Sequence, residues 1–224
     1  LITDITELKQ AHAHREELLA QVRRMALQDS LTGLYSRRGF EEELDRAWRL
    51  GARHALPTGL LVVDVDHFKV LNDTYGHTGG DQILAESGRL IAASVRAPDI
   101  VSRYGGDEIV VILPLTGYED TQKAAGRLLE AFRANTFCRG THDLRVTISI
   151  GAAGGSGVDQ SPQLLLMHAD QALYRAKQLG RNRMCVAEPD SASAFSSSSE
   201  PLTPSAADMI PAPDATASNG TVLV

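Results

Sequence analysis

Two pairs of carboxylates stand where apolar runs end. Asp64 and Asp66 close a short apolar segment, residues 59–65, and Asp107 and Glu108 follow Gly105-Gly106 between two strand-like segments. If those segments are neighbours in a sheet, up to four carboxylates meet at one edge. Like charges that close are costly unless cations neutralise them. Hard oxygen donors suit Mg²⁺ or Mn²⁺, which bind one or two carboxylates together with substrate phosphates. Cations flank the acids: Lys69 follows the first strand, and Lys177 and Arg181 share a helical face at i, i+4. The Gly-Gly pair permits close approach of backbone to a ligand. Carboxylates, metal and cations in one cleft point to phosphoryl or nucleotidyl transfer. Taken singly, each acid is equally well a solvated residue at a strand end.

The elements that must position these residues are legible from periodicity. Residues 59–65 (GLLVVDV) form an apolar run after Pro57, the pattern of a buried strand. Residues 80–95 carry helical spacing through Ile83, Leu84, Ser87, Leu90 and Ile91. Residues 99–104 and 109–114 are strand-like around the Gly-Gly pair, which predicts a hairpin. Residues 119–135 are predicted as a helix, and residues 144–153 as one β-branched strand. Residues 161–179 are predicted as a helix with Ser161 as N-cap, Pro162 at its first position and Gly180 as its stop. Residues 184–187 add a last strand. Interleaved helices and strands with one adjacent hairpin predict an α+β fold with a mixed or antiparallel central sheet.

Charge is unevenly spread. The 224 residues carry 22 Lys+Arg against 28 Asp+Glu, a net charge of -6. That balance excludes broad binding to nucleic-acid polymers, which needs a cationic surface. Residues 190–224 hold eight Ser, seven Ala, four Pro, four acids and no Lys or Arg. Such a stretch cannot bury enough apolar surface to offset its ordering entropy, so residues 189–224 are expected to be a disordered tail. With the tail set aside, the remainder is close to neutral. The two cysteines, Cys138 and Cys185, make no disulfide framework and fit a reducing compartment. No apolar run approaches the ~20 residues of a membrane helix, and no signal peptide opens the chain. The expectation is a cytoplasmic fragment of a longer protein, without membrane contact of its own, although regions outside it could tether the whole.

Residues 6–28 are helical in pattern. Leu8, Arg15 and Val22 lie seven apart, as do Ala11, Leu18 and Met25. Such a stripe fits an amphipathic helix packed on its own domain and fits a parallel coiled coil between two chains.

Four motifs in order resemble one family. Arg103-Tyr-Gly-Gly-Asp-Glu-Ile109 looks like the signature of the GGDEF domain, the diguanylate cyclase family. Asp29-Ser-Leu-Thr-Gly-Leu-Tyr-Ser-Arg-Arg38 is similar to its N-terminal signature, with Ser36 where Asn is usual. Asp64-Val-Asp-His-Phe-Lys69, Asn72-Asp73, Gly76-His77 and Gly80-Asp81 are similar to its metal and guanine block. Tyr174-Arg-Ala-Lys177-Gln-Leu-Gly-Arg181-Asn182 resembles its C-terminal signature.

The resemblance implies a palm-like sheet akin to nucleotidyl cyclases and polymerases. It implies condensation of two GTP into cyclic di-GMP with release of two pyrophosphates, across a homodimer in which each domain holds one GTP. It implies two Mg²⁺ or Mn²⁺ ions per site, held by Asp64, the Val65 carbonyl and Asp107, with Glu108 assisting. Asn72 and Asp81 would read guanine, and His77 would contact substrate. Phe68 and Lys69 would hold phosphate at a helix start, with Lys69 also stabilising transition-state charge. Lys177 and Arg181 would clamp the β- and γ-phosphates, and Asp107 would accept the 3′-hydroxyl proton. Arg96-Ala-Pro-Asp99, with Arg127 on the next helix, resembles the family's inhibitory product site, so cyclic di-GMP is expected as inhibitor as well as product. Ile2-Thr-Asp-Ile-Thr-Glu-Leu-Lys9 resembles the end of a PAS sensor domain leading into a signalling helix. The implied organisation is a PAS-exit segment and coiled-coil helix over residues 1–28, a GGDEF domain over 29–188 and the tail over 189–224.

Ile109 departs from the family, which has Phe there. The position should face the core, so the change alters packing and leaves the charged signature intact. The alternative function is a catalytically silent GGDEF domain that binds GTP or cyclic di-GMP as a receptor.

Overall fold

The computed structural model describes residues 26–139, 142–156 and 161–188, together with 9, 12, 14–17 and 222–223. Its centre is a five-stranded mixed sheet in the order β2-β3-β1-β6-β7. Strand β1 (Pro57–Val65) runs antiparallel to β3 (Glu108–Pro114) and to β6 (Ile148–Ser156). Strand β2 (Ile100–Gly105) pairs antiparallel with β3, and β7 (Met184–Val186) lies parallel to β6.

Helices cover both faces. Alternate residues of β1 and β3 therefore enter two separate cores. Leu61, Val63, Ile109 and Val111 pack with Leu71, Ile83, Leu84 and Ile91 of α2 (Phe68–Ser94) and with Leu128, Leu129 and Phe132 of α3 (Tyr118–Ala134). Leu60, Val62, Val110 and Ile112 pack with Phe40, Leu44 and Trp48 of α1 (Arg37–His54) and with Leu165, Ala169 and Leu173 of α4 (Pro162–Gln178). A strand buried on both faces reads as a continuous apolar run, which is the pattern of residues 59–65.

Helix α1 is absent from the sequence analysis. Its segment is rich in charge, yet Phe40, Leu44, Ala47, Trp48 and Gly51 are the buried stripe of a helix, and Ser36 caps it by accepting from the Gly39 N–H at 3.3 Å. The helix expected at residues 80–95 starts earlier, at Phe68, and changes direction at Gly76, whose φ of 71° is open to glycine. Helix α4 matches its expected bounds, with Ser161 Oγ accepting from the Leu164 N–H.

The strand expected over residues 144–153 is broken. Residues 146 and 147 leave the ladder, and the chain splits into β5 (His142–Arg145) and β6. The cause is Asp66: its N–H donates to the Thr147 carbonyl, and its carboxylate takes the Thr147 hydroxyl. Strand β5 joins a second sheet with β4 (Phe137–Arg139) and the short β8 (Val222–Leu223).

Lys9, His12 and residues 14–17 are helical and exposed. The heptad stripe as a whole, the PAS-like segment and residues 189–221 of the expected tail lie outside the described residues. No helix among the described residues is long and apolar enough to cross a membrane.

Candidate active site

The site forms where β1 ends beside the β2–β3 hairpin. Asp64 lies directly opposite Glu108 in the β1–β3 ladder, and the next backbone link is the Val65 N–H donating to the Asp107 carbonyl at 3.4 Å. The hairpin reverses at Gly106 and Asp107, with Gly105 facing Glu108 after an irregularity at residue 104. Arg103 braces the turn. Its Nε and Nη2 donate to the Gly106 carbonyl at 3.0 and 2.9 Å, while Nη1 lies 3.3 and 3.2 Å from the two Asp29 oxygens.

Helix α4 delivers Lys177 to this edge. Its Nζ sits 2.7 Å from Asp64 Oδ2. Burial pushes the Asp64 carboxyl up from 3.8 to about 6, against the pull of Lys177, and the Asp107 and Asp66 charges push the same way. Glu108 is likewise raised by burial, opposed by Lys177 and reinforced by Asp170 and Asp107. Asp170 is a member of this electrostatic group that the sequence analysis does not name. It lies seven residues before Lys177, on the same face of α4, and that spacing was the available signal.

Asp66 does not join the acidic edge, which corrects the expectation of up to four convergent carboxylates. It is 1% exposed and sealed by hydrogen bonds from Ser149 Oγ, Thr147 Oγ1 and the Asn182 N–H. Among the described residues, no three His, Cys, Asp or Glu side chains form a group able to hold a metal ion. The donor set nevertheless fits a hard divalent cation. Asp64 is a buried carboxylate with a raised pKa beside the charge of Asp107, and Mg²⁺ asks for one or two carboxylates, the rest of its shell being water and substrate oxygen.

Around this edge the remaining residues fall into three groups. Phe68 and Lys69 open α2, whose N-cap residue His67 makes no side-chain hydrogen bond to the first turn. Lys69 is exposed and Phe68 half-buried. Asn72 and Asp81 lie on either side of the break at Gly76, with the exposed His77 next to it. The break folds the helix back on itself, so that a Cβ on Gly80 would strike Asn72 Oδ1 and approach Phe68 Cζ at 3.4 Å. Only a residue without a side chain at position 80 admits the Asn72 carboxamide there. Arg181 lies in the turn after α4, exposed, with φ of 59°.

Arg96 and Asp99 sit in a separate turn before β2. The Arg96 N–H donates to Asp99 Oδ2 at 2.8 Å. Burial raises the Asp99 carboxyl, opposed by that hydrogen bond and by the charges of Arg96 and Arg127. A cavity of about 300 Å³ opens there, lined by Arg96 and Asp99 together with Gln28 and Tyr35. Ile109 is 1% exposed in the core between the sheet and α2, as its position in the motif requires.

Comparison with known proteins agrees with this geometry. Residues 26–183 match the family described as diguanylate cyclase, GGDEF domain. The chain is 40% identical over 160 residues to the response regulator PleD of Caulobacter vibrioides, covering 70% of this chain and 35% of that protein. It is 36% identical over 181 residues to the diguanylate cyclase DgcP of Pseudomonas aeruginosa, covering 81% of this chain and 26% of that one. The chain thus spans about a third or less of these two relatives. Among solved structures, the coiled coil and GGDEF domain of DgcB from Caulobacter crescentus in complex with c-di-GMP superposes with a TM-score of 0.71 at 34% identity, covering 81% of this chain and 98% of that one. Diguanylate cyclase SiaD of Pseudomonas aeruginosa, in complex with its activator SiaC, gives 0.73 at 30% identity, covering 83% and 72%. With the carboxylate edge, the hairpin and the folded-back helix in place, the chain belongs to the GGDEF family of diguanylate cyclases.

Proposed function

We propose that this chain condenses two GTP molecules into cyclic di-GMP and two pyrophosphates. The observation that carries this reading is the Asp64 edge: a buried carboxylate in register with Glu108, next to Asp107, and met by Lys177 at 2.7 Å. Every charged residue of the signature, Arg103, Asp107 and Glu108, is present in the sequence. Asp64, the Val65 carbonyl and Asp107 would hold two Mg²⁺ or Mn²⁺ ions, with Glu108 assisting. When bound, such ions lower the cost of the attacking alkoxide and of the leaving pyrophosphate.

The chain's own residues do the rest. Asn72, which lies against Gly80 beyond the break at Gly76, and the adjacent Asp81 would offer an amide and a carboxylate to guanine's acceptor and N–H groups. His77, beside the break, is a further contact. The open first turn of α2, with Phe68 and Lys69, receives phosphate oxygens, and Lys69 adds charge stabilisation as the α-phosphate is attacked. Lys177 and Arg181 bind the β- and γ-phosphates. Lys177 exchanges its Asp64 contact for phosphate when the nucleotide arrives. Asp107 takes the proton from the 3′-hydroxyl of the partner nucleotide. Because each domain binds one GTP, two copies must face each other about a two-fold axis, and the N-terminal helix is the natural means of pairing them. The reaction belongs to the cytoplasm, where GTP is supplied. Arg96, Asp99 and Arg127 bind the product and restrain the enzyme.

The test is incubation of the dimeric protein with GTP and Mg²⁺, followed by chromatography of the products. Cyclic di-GMP is expected, and Asp107→Ala is expected to abolish it. Nucleotide binding without product from a confirmed dimer would instead make the chain a receptor.

A further inference from the structure

Asp66 is the one acid of the Asp-x-Asp motif without a place at the catalytic edge. Its two oxygens are fully engaged: Oδ1 accepts from Ser149 Oγ at 2.7 Å, and Oδ2 accepts from Thr147 Oγ1 at 2.7 Å and from the Asn182 N–H at 3.0 Å. The third of these bonds reaches across 116 residues of sequence to the turn that follows α4. Arg133, near the end of α3, grips the same residue from another side. Its Nε donates to Asn182 Oδ1 at 3.1 Å and its Nη2 to the Asn182 carbonyl at 2.7 Å. Asn182 is therefore held by its N–H, its side-chain oxygen and its carbonyl.

That grip has a purpose visible in the backbone. Arg181 and Asn182 are consecutive residues in the left-handed region, with φ of 59° and 46°. A Cβ makes this conformation unfavourable, and two in succession persist only where the surroundings over-determine them. Arg181 itself is tied back through its N–H to the Ala176 carbonyl at 3.1 Å and through its carbonyl, which accepts from Arg183 Nε at 3.0 Å, and its side chain is exposed. The direction in which the Arg181 guanidinium leaves the turn therefore depends on what holds Asn182, together with the neighbouring Arg183 contact.

We propose that Asp66, with Arg133 opposite it, is a positioning residue for the triphosphate: by fixing Asn182 it holds Arg181 in the left-handed turn that presents it beside Lys177. Asp66 touches neither nucleotide nor metal in this scheme. The inference rests on the reading of Arg181 as a phosphate contact.

Steady-state cyclase kinetics and GTP-binding titrations on the purified chain test it, with Asp66→Ala, Asp66→Asn, Arg133→Ala, Arg181→Ala and the corresponding doubles. Asn at position 66 retains an oxygen for the Asn182 N–H and can donate its amide to Ser149, so Asp66→Asn restores binding that Asp66→Ala loses. Asp66→Ala and Arg133→Ala each raise KM for GTP about tenfold, with a smaller change in kcat. Neither adds more than about twofold once Arg181 is Ala, because both act through it. Arg133 is partly exposed, so its variant keeps the test open if Asp66→Ala does not fold. Equal effects of these variants with and without Arg181, or an unchanged KM, overturn the proposal. A wild-type chain that binds GTP without turnover removes the cyclase reading alone, and the same variants are then scored by GTP affinity. A wild-type chain that binds no GTP removes both.

Discussion

Lys177 Nζ and Asp64 Oδ2 are 2.7 Å apart, in an ion pair formed between the last turn of a helix and the end of a central strand. The pair places an ammonium on a carboxylate that burial has made reluctant to ionise. Function has been bought here with stability, and the amount can be measured. Burial raises the Asp64 pKa from 3.8 to about 6, so the folded state binds the proton more tightly than the unfolded chain. Stability is therefore greatest below the unfolded value and declines as pH rises through the folded one. At neutral pH the ionised group costs about 3 kcal/mol before relaxation. In metal-free buffer at pH 7.5, Asp64→Asn is expected to melt about 5 °C higher than wild type, with the gain fading toward pH 4. Thermal melts in chelator check this, and a lower melting temperature for the variant would contradict it.

Asp29 carries the opposite sign. Burial works to raise its pKa, but hydrogen bonds from the Thr32 hydroxyl and N–H, and then the Arg103 charge, outweigh it and leave the carboxyl below its ordinary value. A depressed carboxylate contributes stability above its unfolded pKa and loses it as pH falls through the folded one. Wild type should lose urea resistance as pH falls below about 4 more steeply than Asp29→Asn, which has no charge to neutralise there. Parallel acid titrations of the two proteins would remove the role given to this pair.

Gly80→Ala separates folding from recognition. Alanine is the better helix former by about 1 kcal/mol, yet its Cβ would occupy the place of the Asn72 carboxamide. The variant should keep or slightly raise its melting temperature while KM for GTP rises about tenfold, the scale of one lost hydrogen bond at guanine. Discrimination against ATP should fall with it. Unaltered GTP kinetics would show that Asn72 does not read the base.

Arg96→Ala addresses feedback. Arg96 is exposed and its side chain lies apart from the Asp64 edge, so kcat should be preserved. The concentration of cyclic di-GMP that halves the rate should rise at least about tenfold, the loss expected when a guanidinium–phosphate contact is removed. Unchanged inhibition would place the regulatory contact elsewhere.

The sequence made the central strands and α4 legible because their signals are local. An unbroken apolar run after Pro57 marks β1, Gly105-Gly106 marks the hairpin, and Ser161-Pro162 marks a helix start. The acids at the ends of those runs could therefore be assigned to an edge. What stayed hidden depends on partners remote in sequence. Helix α1 was masked by its charged surface, though its stripe from Phe40 to Gly51 was there to be counted. The break at residues 146 and 147 is imposed by Asp66, 81 residues away from Thr147. The same separation explains why Asp66 looked like a fourth member of the acidic cluster: nothing beside it in sequence shows that Thr147, Ser149 and Asn182 enclose it.

The Arg103 guanidinium has a mechanical consequence. It binds the Asp29 carboxylate and the Gly106 carbonyl through four hydrogen bonds at once. Asp29 stands two residues beyond the helical Ala26 and Leu27, and Gly106 immediately precedes Asp107. The chain leaving Ala26 and Leu27 and the loop carrying Asp107 are thereby joined through one side chain. A displacement of either segment is therefore felt at the other through the Arg103 side chain.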